Sequence, residues 1–133
     1  MAERVDCTAA AAGMIARLVE QHGPLLFHQS GGCCDGSAPM CYQRDEFRIG
    51  ARDVLLGFVH DHTPVYIGAA QFEYWQHTRL TIDVVPGRGA GFSLEAPEGV
   101  RFLTRSRLFT DVESVEMALA GPPLRGPEAA GLA

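Results

Sequence analysis

At 133 residues, 47% hydrophobic and with a formal charge of -5, the chain carries enough apolar side chains for one globular core. The acidic balance and the lack of any basic block argue against nucleic acid as the main partner, and no apolar run is long enough to cross a membrane. Residues 1–6 are charged and no apolar signal core follows, so a cytoplasmic location is expected, where four cysteines read as thiols or metal ligands before disulfides.

Residues 6–22 place Ala11, Met14, Ile15, Leu18 and Val19 at helical spacing on one face, with Arg17 and Glu20 off it, and predict an amphipathic helix. Asp6 or Thr8 can cap its start, and Gly23-Pro24 ends it. Cys7 falls on the apolar face as a small buried thiol. Residues 25–29 predict a strand that runs into a loop at 30–41. A second apolar strand is expected at 53–60, a turn at 61–64, a short strand at 65–67 and a brief helix at 69–77. Strands at 80–85, 92–95 and 100–109 follow, with a glycine-rich turn at 86–91. A weak helix at 111–120 closes a single domain over 1–120, and the Pro/Gly-rich stretch 121–133 reads as a flexible tail. One long N-terminal helix, one short internal helix and several short strands make the fold class α+β.

The chemistry concentrates at 28–41, where His28, Cys33, Cys34, Asp35 and Cys41 stand within fourteen positions. Adjacent residues on an extended chain point to opposite sides, so Cys33 and Cys34 reach one ion only if the backbone curls, and Gly31, Gly32 and Gly36 permit that. Cys41 is close enough for the loop to fold back, and His28 ends a strand. Asp35 either ligates or caps local amides. Thiolates with an imidazole point to a transition metal ion, namely zinc, copper or iron. A Cys33 or Cys34 nucleophile with His28 as base is the alternative, though no local signature marks it. Three weaker candidates have plainer readings. His60-Asp61-His62 reads as a solvated turn, Glu73 and His77 as a helical pair, and 87–91 as a hairpin-type turn, since a phosphate cradle would need to open a helix.

The order of motifs resembles the HesB/IscA-like iron–sulfur carriers. The pieces that carry the resemblance are the Gly-Gly-Cys-Cys-Asp-Gly run at 31–36, Val65-Tyr66-Ile67, Thr81-Ile82-Asp83 and Gly89-Ala-Gly-Phe-Ser-Leu-Glu-Ala-Pro97. That likeness implies a small mixed β domain, and a dimer by analogy. The carriers end in a Cys-Gly-Cys pair, and 98–133 contains no cysteine. More closely, the run from His28 to Ser37, with Met40-Cys41 and Gly-Ala-Gly-Phe-Ser, resembles an uncharacterised bacterial family, domain of unknown function 779. Its members often stand beside aldehyde dehydrogenases, which implies an accessory role in aldehyde or alcohol metabolism.

Together these give a metal-binding accessory protein with Cys33, Cys34, Cys41, His28 and Asp35 as candidate ligands, and an aldehyde dehydrogenase as candidate partner. A thiol-dependent enzyme acting on small aldehydes or their thiol adducts is the second expectation. The third is a metal-free docking partner that uses a sheet edge or the surface around Phe72, Tyr74 and Trp75.

Overall fold

A computed structural model describes residues 3–29, 38–88 and 93–126, without the side chain of Asp61. In chain order the elements are β1 (Val5–Cys7), α1 (Ala9–His22), β2 (Leu25–Gln29), β3 (Met40–Gln43), β4 (Asp53–Val59), β5 (Thr63–Gly68), α2 (Ala69–Trp75), β6 (Thr78–Pro86), β7 (Val100–Leu108) and α3 (Asp111–Ala120). The class is mixed α+β, as the element pattern predicts. Two mixed sheets have the orders β1-β6-β7 and β3-β2-β5-β4.

The first helix is shorter than its periodicity suggests. Asp6 and Cys7 leave the helical pattern and, with Val5, pair in parallel with Leu80, Thr81 and Ile82 of β6. Thr8 then caps α1: its Oγ1 accepts the Ala11 N–H at 3.1 Å and donates to Asp83 Oδ1 at 2.8 Å, tying the helix start to β6. Gly23 ends the helix at φ +80°, and its N–H bonds to the Val19 carbonyl at 2.8 Å.

Both sheets and α1 share one core. Ala11, Ile15 and Leu18 of α1 meet Leu25 and Phe27 of β2, Val65 and Ile67 of β5, Leu80 and Ile82 of β6, and Phe102 of β7. Phe27 and Phe102 join the sheets edge to face, with ring centroids 4.9 Å apart. At Gly57 a bulge interrupts the β4–β5 register. A Cβ there would stand 3.2 Å from Val5 Cγ1 on β1, and φ is +154°.

Several boundaries move for identifiable reasons. The turn predicted at 61–64 is a 3-10 turn over His60–His62, and Pro64 already lies in β5. The missing N–H of Pro64 costs no ladder bond to β2, because that pairing begins at Val65. The helix predicted to His77 ends at Trp75. The strand predicted at 92–95 is corrected: Ser93–Glu95 is a turn leading into a 3-10 turn at Ala96–Glu98, and Phe92 lies outside the described residues. Buried Ser93 and Glu95 direct their polar groups inward and bond to each other and to neighbouring backbone, which replaces a ladder. Of the stretch read as a tail, 121–126 returns along β4. The Leu124 carbonyl accepts the Leu55 N–H at 3.0 Å, and Arg125 bridges to Val54.

Candidate functional site

The end of β2 and the start of β3 carry the two ends of the cysteine-bearing segment. Alternation along β2 sends Leu25, Phe27 and Gln29 to the core and Leu26 and His28 to the opposite face. On that opposite face, His28 Nε2 lies 2.7 Å from Asp53 Oδ1, with side-chain exposures of 8% and 16%. The carboxylate selects a ring form with hydrogen on Nε2. Asp53 is itself fixed, because its Oδ2 accepts the Gly50 N–H at 2.7 Å. Its β5 opposite is Gly68, which puts no side chain on that face. Phe47 lies over the site with its ring centroid 4.9 Å from both His28 and Tyr42.

Tyr66 pairs with His28 across the β2–β5 ladder and is 1% exposed. Burial pushes its hydroxyl pKa up, partly offset by the Arg44 charge, while the Asp53 charge adds to the rise. Tyr66 Oη and Arg44 Nη2 are both buried without a hydrogen-bond partner among the described residues.

The core face holds a different polar group. Cys41 pairs with Phe27, so its side chain points with Phe27 into the core and is 0% exposed. Its N–H donates to Ser93 Oγ at 2.8 Å, and its carbonyl accepts the Leu94 N–H at 3.0 Å. Ser93 Oγ donates in turn to Glu95 Oε1. The Phe102 N–H reaches Glu95 Oε2 at 3.4 Å, and Thr104 Oγ1 donates to Gln29 Oε1 at 2.9 Å. Burial raises the Glu95 carboxyl pKa, against the pull of the Ser93 bond. Burial, then the Glu95 charge, raises the Cys41 thiol pKa well above its ordinary value.

The sheet therefore places His28 and Cys41 one register step apart and on opposite faces: His28 opposes Met40, and Cys41 opposes Phe27. Cys33, Cys34 and Asp35 lie outside the described residues. Among the described residues, no three His, Cys, Asp or Glu side chains group closely enough to hold a metal. Cys7, expected as a buried thiol on the helix face, is instead half-buried on β1, where it packs against the core. His62 sits at φ +54° and stacks on Phe58, with ring centroids 3.9 Å apart. Glu73 and His77 do not share a helix, since α2 stops between them. Trp75 is buried, while Tyr74 is 72% exposed.

Asp53, Tyr66, Arg44, Ser93 and Glu95 carry no local signature. His28–Asp53 spans 25 residues, Cys41–Ser93 spans 52 and Gln29–Thr104 spans 75, so only pairing of distant strands brings them together.

A family model described as Domain of unknown function (DUF779) matches residues 14–108, and the chain belongs to that family. The match runs from within α1 to the end of β7 and so includes both polar faces around the cysteine-bearing segment. No curated protein matches the chain.

Proposed function

We propose that the chain is a small metal-binding accessory protein in which Cys33, Cys34 and Asp35 supply ligands and His28 joins them from the end of β2. Thiolates with an imidazole favour zinc, copper or iron over magnesium or calcium. The observation that carries this reading is the part-buried 2.7 Å contact between His28 and Asp53, two residues before the segment 30–37 that holds the cysteine pair. A carboxylate on one ring nitrogen is the outer-shell arrangement that fixes metal-binding histidines. Cys41 stays outside this ligand set, as part of the frame that anchors Ser93 and Glu95. The HesB/IscA-like order of motifs favours iron, while the lack of a late cysteine pair favours a single ion over a carrier-type cluster. The metal would serve an aldehyde dehydrogenase, with the accessory protein acting as a homodimer.

The test is elemental analysis of untagged protein prepared anaerobically, beside Cys33→Ser/Cys34→Ser and Asp53→Asn variants. The wild type should hold near-stoichiometric metal, the double variant none, and Asp53→Asn should bind about 10–100-fold more weakly. A wild type that is metal-free and takes up neither zinc, copper nor iron on reconstitution ends this reading. Chemistry at a Cys33 or Cys34 thiolate would then take its place.

The exposed apolar side chains of Leu108, Val112, Val115 and Leu119, at 60–80% exposure, favour a second reading as a docking partner of a dehydrogenase. Under that reading Leu119→Glu abolishes co-elution with the dehydrogenase, while Cys33→Ser/Cys34→Ser leaves it intact.

A further inference from the structure

A cleft of about 360 Å³ opens between the N-terminal segment, the α2–β6 turn and α3. Among the described residues its lining takes none from β2 or β3, and most of it falls outside residues 14–108. Phe72, Phe109, Met117 and Pro122 give it apolar walls. Arg4 is the cation in it. The guanidinium stands 6.0 Å from the centroid of the Phe72 ring, and one of its amino groups donates to the Gly121 carbonyl at 2.9 Å. Among the described residues its buried Nε has no hydrogen-bond partner and no carboxylate pairs with the guanidinium.

A half-buried cation held by one carbonyl and one ring face has lost hydration that an internal counter-ion would ordinarily replace. Burial accordingly lowers the Arg4 pKa, with no acidic group opposing it. Apolar walls and a single under-paired guanidinium are together the makings of a site for an apolar body with one anionic head.

We propose that this cleft binds a small organic carboxylate, with Arg4 pairing its head and Phe72, Phe109 and Met117 packing its apolar body. The proposal is independent of any metal at the cysteine-bearing segment.

The test titrates the full-length chain with octanoate and, separately, with 1-octanol, which has the same apolar chain and no charge. Backbone amide shifts and the fluorescence of Trp75, the sole tryptophan, report binding. Saturable octanoate binding is expected, with shifts centred on Phe72, His77 and Met117 and an affinity about tenfold or more above that of octanol. Arg4→Met should abolish that preference. Because Arg4 also ties Gly121, a second variant, Ala118→Trp, fills the cleft and leaves that hydrogen bond in place; it should weaken both ligands. Equal affinity for octanoate and octanol, shifts centred elsewhere, or no saturation would overturn the proposal.

Discussion

A carboxyl group inside a core must either give up its charge or be bonded where it stands. Glu95 is 2% exposed, and Ser93 with the Phe102 N–H meets it there. Because burial raises its folded pKa above the unfolded one, the folded state binds more protons than the unfolded state between those values. Glu95 then costs nothing below the unfolded pKa and progressively destabilises as pH rises toward the folded one. Glu95→Gln removes that slope: urea unfolding at several pH values should show the variant gaining on the wild type as pH rises from acid through the ordinary carboxylate range. A difference that does not change with pH would mean that the carboxyl ionises equally in both states. Tyr66 poses the complementary case, a buried hydroxyl without a partner among the described residues. Tyr66→Phe should leave stability unchanged or raise it, since no hydrogen bond is lost. A loss of more than about 1 kcal/mol on denaturant unfolding would reveal a partner for that hydroxyl.

At the scale of elements, α3 owes its position to its first turn. Thr110 Oγ1 accepts the Glu113 N–H at 3.2 Å, and Glu113 Oε1 accepts the Thr110 N–H at 2.9 Å, a reciprocal capping box. Arg107 at the end of β7 grips the same carboxylate with two bonds, at 2.7 and 2.9 Å. The Arg107 guanidinium, followed by the Thr110 N–H, holds the Glu113 pKa down at about 2. Its folded pKa lies below the unfolded one, so this support is complete above the ordinary carboxylate range and is lost as pH falls toward 2. No side chain of α3 is fully buried, so loss of the cap should fray this helix before the sheets respond. Thr110→Ala is expected to cost about 1 kcal/mol, visible as faster hydrogen exchange in 111–120 with little change in β2 or β5. Equal acceleration throughout the domain would show that α3 unfolds only with the core.

For the whole molecule, the returning segment 121–126 is a structural part of the domain. β4 is an outer strand of its sheet, and Leu124 and Arg125 cover its open side at Leu55 and Val54. Gly126 follows at φ +48°, where a Cβ would lie 2.9 Å from both the Ala51 Cα and the Gly50 carbonyl oxygen. Gly126→Val should therefore expel the segment. A lower melting temperature and concentration-dependent association on size-exclusion chromatography are expected, because the freed β4 edge would be open to a second chain. An elution volume and a melting temperature both unchanged from the wild type would show that the segment contributes nothing to the sheet.

Local signals in the chain determined most of the elements. The stripe of Ile15 and Leu18 marks α1 and Gly23 stops it; residues 25–29 mark β2, and 111–120 mark α3. These rest on side-chain periodicity and backbone freedom, which neighbours in sequence decide. The candidate ligands were legible in part: His28 stands where its position at a strand end suggests, and Cys41 is found turned to the core. Which face a side chain takes depends on strand register, and register is set by partners tens of residues away. For the same reason the departure of Asp6 and Cys7 from α1, the Asp53 carboxylate on His28, the Ser93–Glu95 pair beneath Cys41 and the docking of 121–126 on β4 were decided only when the two sheets closed over one core.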